Sequence, residues 1–280
     1  MTGNSSSAAE SSPQQLLTDY RAMKARPGGT IEQPEFFIAE GKFIVERLLL
    51  SRHRVRSVIV QQGRSLEVLG QIPANVAVFE LSKSEIQEIS GFDFHRGYLA
   101  SADREPLKTC QAFEPDSVSL GLLGITDMEN MGTLLRTAAG LGIRQVVFDQ
   151  ASADPFSRRV IRVSMGATLA MRLIRCQDVI EDLQTIHGRG VQTIAAAIGP
   201  QTSPLHRVNL SDQPKLILLG NEAQGLSERV QQACQHRVEI AMSPLELNTA
   251  NGELAVDSFN VAVAGGIMMH WLTRPDNPSH

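Results

Sequence analysis

Three segments of this sequence join a turn, a polar side chain and a following helix in a way that can hold an anion or a flat polar ligand. The first is Asp127-Met-Glu-Asn130-Met-Gly132-Thr-Leu-Leu-Arg136-Thr-Ala138. It follows an apolar run and opens a helix. Asn130 stands where a helix cap is expected, and Gly132 keeps the first turn uncrowded. Arg136 lies one turn further on. Helical side chains lean toward the N-terminus, so its guanidinium can reach back over Gly132 and Thr133 toward free N–H groups, a combination suited to an anion. A capped helix with a surface arginine accounts for the same residues without chemistry.

The second segment is Leu216-Ile-Leu-Leu-Gly220-Asn-Glu222-Ala-Gln-Gly225-Leu226-Ser227. A buried strand ends in Gly-Asn-Glu and turns at Gly225 into a helix capped by Ser227. Gly220 would let a flat ligand pack on the backbone, and Glu222 sits where an acid has no core role; an ordinary turn with an exposed acid is the alternative. The third runs from Val238-Glu-Ile240-Ala-Met242 through a polar stretch to Val256-Asp-Ser258-Phe-Asn260-Val-Ala-Val-Ala-Gly-Gly266. Asp257 or Ser258 reads as the cap of a helix built of small residues, where dense packing is the alternative to function.

Other signals point elsewhere or nowhere. Gly140-Leu-Gly142 follows a helix rather than a strand, so it is no dinucleotide fingerprint, and no P-loop is present. The seven histidines show no metal spacing. Cys110, Cys176 and Cys234 have no C-x-x-C arrangement, so neither a disulfide framework nor a zinc site is expected, and a reducing, cytoplasmic setting fits. The clusters Arg52-His-Arg54-Val-Arg56 and Arg158, Arg159, Arg162 suit phosphate or a plain solvated face. A net charge of −4 weighs mildly against a nucleic-acid partner, although local clusters can serve one.

These segments need a frame. With 42% hydrophobic and 20% charged residues, most of the 280-residue chain can bury a core, and no apolar run has the length to cross a bilayer. Residues 1–34 are polar and read as a mostly disordered arm, with Gln15–Lys24 a candidate short helix. Residues 35–104 read as a small α/β unit: strands at Phe36–Ala39, Val55–Gln61, Val76–Glu80 and Tyr98–Ala100, a helix over Gly41–Ser51 with Phe43, Ile44, Leu48 and Leu49 on one side, and a capping box at Ser82–Glu85. Residues 105–116 carry two prolines and read as a linker. From 117 to 275 strands alternate with helices. Strands are expected at Val118–Ile125, Gln145–Asp149, Val191–Ala197, Lys215–Leu219 and Arg237–Ala241. Helices are expected at Asn130–Leu141, Pro155–Ala167, Val179–Ile186, Leu226–Cys234 and Ser258–Trp271. Such alternation predicts a mostly parallel sheet with ligands at the carboxyl ends of its strands.

Taken together and in order, the three segments resemble the SpoU/TrmH family of RNA ribose methyltransferases. The family's N-x-G-x-x-x-R motif is matched by Asn130, Gly132 and Arg136 behind the acidic Asp127. Its G-x-E-x-x-G motif is matched by Gly220, Glu222 and Gly225, and its I-P-M and S-L-N-V-x-V-A motifs by Ile240, Met242, Ser258, Asn260, Val261, Val263 and Ala264. Ser152–Phe156 and Val163–Ala167 look like its connecting segment, and Phe37–Gly41 with His95–Gly97 like the small substrate-binding domain of many members. Met128 and Ala241 stand where the family has prolines, Phe259 where it has leucine, and a stretch of extra residues around Pro244–Glu253 precedes Ser258.

The resemblance implies an α/β fold with a C-terminal trefoil knot, S-adenosylmethionine bound within it, no metal, and a homodimer with its site near the subunit interface. It implies RNA as substrate, ribosomal RNA ahead of transfer RNA, with a ribose 2′-hydroxyl as acceptor. Arg136 would stabilise the developing alkoxide, while Asn130, Glu222, Ser258 and Asn260 orient the ribose and Arg136. Gly220, Ile240, Met242 and Phe259 would form the adenosine pocket. The rival reading is an RNA-binding knotted homologue without activity; the extra stretch favours it, and the presence of all five polar motif residues opposes it. A dinucleotide-dependent oxidoreductase is opposed by the missing glycine-rich fingerprint.

Overall fold

The computed structural model describes residues 13–21, 35–70, 72–91, 93–243, 247–249, 252–254 and 258–274. They fall into two compact units that divide between Arg104 and Glu105. Among the described residues no helix is long and apolar enough to cross a membrane.

The first unit begins with a short helix, α1 (Pro13–Thr18), followed by β1 (Phe36–Glu40), α2 (Lys42–Leu49), β2 (Val55–Gln61), β3 (Ala77–Leu81), α3 (Lys83–Ser90) and β4 (Tyr98–Asp103). A six-residue helix has too few turns to persist alone, and tertiary contacts hold it. Tyr20 is fully buried and its hydroxyl lies 3.0 Å from the Ser57 carbonyl. Asp19 accepts from Ser101 Oγ at 2.5 Å and pairs with Arg56 at 3.2 Å. The predicted arm is therefore tied down at Asp19 and Tyr20; its other residues, apart from Pro13–Arg21, lie outside the described ones. Arg56 also stacks over Phe36, 5.2 Å from the ring centroid, and Arg54 pairs with Asp103. Arg54 and Arg56 of that basic cluster are thus engaged in structure.

The sheet order is β1-β4-β2-β3, with β4 antiparallel to both neighbours and β2 parallel to β3. The α3 capping box forms as predicted: Glu85 N–H donates to Ser82 Oγ, and Ser82 N–H to the Glu85 carboxylate. In α2 the buried residues are Ile44, Val45 and Leu48, whereas Phe43 is 62% exposed. The expected apolar face of that helix is thus rotated by one position, because Val45 rather than Phe43 completes the stripe beneath Leu48.

The second unit contains β5 (Lys108–Thr109), β6 (Val118–Leu122), α4 (Met128–Gly140), β7 (Gln145–Phe148), α5 (Arg158–Val163), β8 (Arg172–Arg175), α6 (Val179–His187), β9 (Gln192–Ala196), β10 (Ser203–Pro204), β11 (Lys215–Leu219), α7 (Glu228–Ala233), β12 (His236–Glu239), β13 (Leu247–Thr249), β14 (Gly252–Leu254) and α8 (Val261–Leu272). Eight of these strands form one sheet, ordered β10-β12-β9-β11-β6-β7-β8-β5, in which every pairing is parallel. All residues of β6 and β11 are buried, as strands covered on both faces must be.

Alternation along β11 separates two packing layers. Leu216 and Leu218 join Leu183, Ile186 and Val230 of α6 and α7. Leu219 faces the other way, toward α8, where a Cβ on Gly265 would lie 2.6 Å from its Cδ1 and 2.5 Å from Leu134 Cδ2 of α4. The small residues of α8 therefore serve this internal contact. In the same way Gly132 lets α4 close onto α5, since a Cβ there would sit 2.5 Å from Val163 Cβ.

Several boundaries differ from expectation. The predicted helix over Pro155–Ala167 shrinks to α5, capped by Ser157 accepting from Val160 N–H. Beyond it Met165 and Gly166 take positive φ values of 54° and 75°, which end the helix. Strands β5, β8 and β10 are too short or too polar for alternation to show. Within the extra stretch, the backbones of β13 and β14 pair antiparallel; the remainder of Pro244–Asp257 lies outside the described residues.

Candidate active site

The carboxyl ends of β9, β11 and β12 and the start of α8 surround a cleft of 480 Å³. Six expected site residues line it: Gly220, Glu222, Ile240, Met242, Ser258 and Phe259. The sequence reading missed Ala196, Ala197 and Ile198 at the end of β9, and Met268 of α8, which line it too. These are ordinary apolar residues; the placement of β9 beside β11 brings the first three here, and α8 brings Met268. Backbone from three strand ends with apolar side chains and a few polar groups suits a ligand of nucleoside size.

Glu222 organises the mouth. Its carboxylate accepts from Asp127 N–H at 3.2 Å, Thr126 N–H at 3.4 Å, Asn130 Nδ2 at 3.3 Å and Asn221 Nδ2 at 3.4 Å. The acid thus satisfies backbone donors of the loop that enters α4, a favourable position for negative charge. Asn130 in turn accepts from Asn260 Nδ2 at 3.1 Å. Through Glu222, Asn130 and Asn260 the three motif segments meet at one point.

Three local readings need correction. Asp127, not Asn130, caps α4: its side chain accepts from Asn130 N–H at 2.8 Å. The helix starts earlier than expected, so Gly132 falls beyond its first turn; the close backbone approach expected there is that of α5, since a Cβ on Gly132 would lie 2.5 Å from Val163 Cβ and 3.2 Å from Ser164 N. Asn260, not Ser258, caps α8, accepting from Ala262 and Val263 N–H at 2.9 and 3.3 Å; Asp257 lies outside the described residues. Gly220 is required by the protein itself. A Cβ there would lie 2.2 Å from both Gly225 C and Leu226 N, because the loop doubles back over it. Asn221 shapes that loop, accepting from Ala223 N–H at 2.9 Å and donating to the Gly124 carbonyl at 2.7 Å.

Arg136 stands apart from this network. It is exposed on α4, and its guanidinium makes no hydrogen bond or ion pair with another described residue. Of the second basic stripe, Arg159 pairs with Glu129 at 2.8 Å.

The SpoU rRNA Methylase family model matches residues 117–270, from the start of β6 to within α8. The chain belongs to the SpoU methylase family. An uncharacterized tRNA/rRNA methyltransferase of Mycobacterium tuberculosis is 30% identical to this SpoU methylase over 241 residues, which cover 85% of this chain and 80% of that protein. The 23S rRNA (guanosine-2′-O-)-methyltransferase RlmB of Acinetobacter baylyi is 25% identical over 255 residues, 86% of this chain and 98% of that one. A TrmH-family chain from Porphyromonas gingivalis superimposes with a TM-score of 0.73 at 28% identity, covering 93% of this SpoU methylase and 97% of its own length. The expected α/β fold with a parallel sheet and the family assignment both hold, and the protein is an RNA methyltransferase of the SpoU family.

Proposed function

We propose that this SpoU methylase transfers a methyl group from S-adenosylmethionine to a ribose 2′-hydroxyl of RNA, with ribosomal RNA as the substrate class. The observation that carries this reading is the convergence of Glu222, Asn130 and Asn260 at the mouth of a nucleoside-sized cleft. The ribose 2′-hydroxyl and the ribosomal substrate are those printed in the name of the RlmB relative, which supports this choice over transfer RNA. Gly220, Ile240, Met242 and Phe259, joined by Ala196–Ile198 and Met268, would hold the cofactor. When bound, S-adenosylmethionine supplies a methyl group on a sulfonium, an electrophile that needs no activation by metal.

The chain's own task is to align the acceptor oxygen and to stabilise the charge it develops. Asn130 and Asn260, fixed by each other and by Glu222, offer amide groups at the cleft mouth for the ribose. Ser258 lies beside them on the cleft wall. Arg136 is uncommitted among the described residues, so its guanidinium is available to a backbone phosphate and the ribose oxygen together. A guanidinium is too weak an acid to serve as a base, so the role assigned to it is electrostatic.

The first unit is read as the RNA-binding module. In support, Phe43 is 62% exposed with Lys42 Nζ 5.6 Å from its ring centroid, and Arg96 lies against Gly41. An aromatic face among cations suits an unpaired base with its phosphate. A homodimer is part of the reading. Phe259, just before the cap of α8, and Val263 and Ile267 on its successive turns are 41%, 52% and 40% exposed, and an apolar stripe of this kind is normally covered. The interface is thereby assigned to this face of α8 and not to the internal Ala262 and Gly265. The knot and a cytoplasmic setting belong to the same proposal.

The deciding test is single-turnover methyl transfer to RNA by Arg136→Ala, with cofactor affinity measured alongside. Loss of a transition-state donor costs about a hundred- to a thousand-fold in rate, with cofactor affinity retained. Arg136→Lys should not rescue, because an ammonium lacks the planar fork. Alanine within a few-fold of wild type removes Arg136 from the mechanism, and methylated nucleoside products other than 2′-O-methyl overturn the assigned acceptor.

A further inference from the structure

At the edge of the large sheet farthest from β10 and β12, strands β5 and β8 run parallel with Lys108 opposite Ile174 and Thr109 opposite Arg175. Continuing that register sets Cys110 beside Cys176, one residue past the carboxyl end of each strand. The turn into α6 then brings Asp182 over the pair. One donor atom from each of Cys110, Cys176 and Asp182 lies within 4.8 Å of the other two. Spacing in the sequence gave no hint of this, since the cysteines belong to separate strands that only the sheet order makes neighbours.

The three groups sit as ligands would. Cys110 and Cys176 are 0% and 4% exposed, against the core beneath α6. Cys176 Sγ lies 3.1 Å from Asp182 Oδ2. That oxygen also accepts from Gln177 N–H at 2.8 Å, a bond that fixes the carboxylate independently of either thiol. Two sulfurs and one carboxylate oxygen in a largely dry pocket suit a borderline or soft ion. Magnesium and calcium ask for oxygen alone.

We propose that Cys110, Cys176 and Asp182 form a binding site for a thiophilic divalent cation of the zinc or cadmium class, outside the methyl-transfer cleft. Binding exchanges the two thiol protons, released to solvent, for two sulfur–metal bonds and one carboxylate–metal bond. A fourth position remains on the side where Asp182 is half-exposed, and water completes it. The cation clamps β5, a strand of only two residues, to β8 and to the first turn of α6. Its effect is on the stability of this edge and not on the reaction. A disulfide between the same cysteines is the competing outcome.

The test uses the full chain, reduced and freed of metal, with cadmium alone as the probe. One equivalent should produce the ultraviolet sulfur-to-cadmium charge-transfer absorption. Zinc should compete for the same site and raise the thermal midpoint. Cys110→Ala and Cys176→Ala, chosen because alanine leaves no polar atom in this apolar setting, should each abolish the stoichiometric absorption. Cys234→Ala should leave it unchanged. Asp182→Asn, a substitution at a half-exposed position, should keep sulfur ligation and weaken binding by about ten-fold or more. Absence of the band at one equivalent in the wild type, or its persistence in both Cys110→Ala and Cys176→Ala, overturns the site. So does a Cys110–Cys176 disulfide that re-forms after reduction in the presence of equimolar zinc.

Discussion

The Asn260 side-chain amide donates to Asn130 Oδ1 at 3.1 Å, across a separation of 130 residues. The carbonyl oxygen of the same Asn260 side chain caps α8, and the amide nitrogen of Asn130 faces Glu222. Each side chain is therefore held at both of its ends. The start of α4, the loop after β11 and the start of α8 are set relative to one another by side chains that also line or border the cleft.

The shape-conserving change Asn130→Asp tests this linkage. It keeps an acceptor for Asn260 but sets a second carboxylate against Glu222 in place of a donor. A hydrogen bond to a charged group is worth about 1.5–3 kcal/mol, so methyl transfer should fall by about ten-fold or more. Asn260→Ala should also lower the thermal midpoint, since a helix cap contributes about 1 kcal/mol. Rates and midpoints equal to wild type in both variants would show that the segments meet without needing these bonds.

Gly220→Ala should damage activity far more than its size suggests. The added carbon would meet the backbone of Gly225 and Leu226, which cannot swing aside as a side chain can. The loop carrying Glu222 must move, and methyl transfer should drop by orders of magnitude. Gly266→Ala is the control. Its added carbon would come no closer than 3.7 Å to Thr137 Cγ2, and alanine in a helix is worth about 0.5–1 kcal/mol over glycine, so the midpoint should rise slightly. Equal behaviour of the two variants in a melting and activity comparison would contradict this account.

Val263→Lys should convert the proposed dimer to monomer. Val263 is 52% exposed between Phe259 and Ile267, so a lysine there costs little in an isolated subunit and much in a buried apolar contact. Light scattering at micromolar concentration should give half the wild-type mass with an unchanged circular dichroism spectrum. A wild-type protein that is already monomeric removes the interface.

Acid should destabilise the second unit in part through two histidines. Burial lowers the pKa of His187 and of His236 from the usual 6.5. Below 6.5 the unfolded chain takes up protons that the folded one refuses, so the stability present above that pH is lost as pH falls toward the folded-state values. His187 Nε2 lies 2.5 Å from Thr193 Oγ1. His187→Gln should flatten the dependence of the thermal midpoint on pH just below 6.5; an unaltered slope assigns it to other groups.

What could be read beforehand followed from physical rules of short range. The run Lys215–Leu219 is found at its expected bounds because a strand buried on both faces needs an apolar interior, here Leu216–Leu219. Glu222 and Gly220 were conspicuous because an acid and a glycine at a strand's carboxyl end need a reason. Helix phase was harder: α2 buries Val45 and leaves Phe43 in solvent, a choice made by the sheet it covers. The roles of Asp127 and Asn260 as caps turned on boundaries a few residues wide, where several polar side chains compete. Least legible were neighbours made by strand order, such as Ala196–Ile198 in the cleft and Cys110 beside Cys176.

The position of β11 has a consequence for how the chain is made. It lies between β6 and β9, both of which precede it in the chain. A nascent polypeptide that has emerged only as far as Pro214 therefore holds one group of paired strands, β6-β7-β8-β5, with the apolar edge of β6 unpaired, and a β9 that lacks both of its neighbours, a form open to association with other chains. The first unit, by contrast, closes its sheet with β4, and can mature while the rest is still being synthesised. The middle strand arrives late, and Glu222 and Asn260 follow it. Translation thus completes the first unit first, then the sheet, and the junction of Asn130, Glu222 and Asn260 last, so that no partial chain presents the cleft mouth assembled.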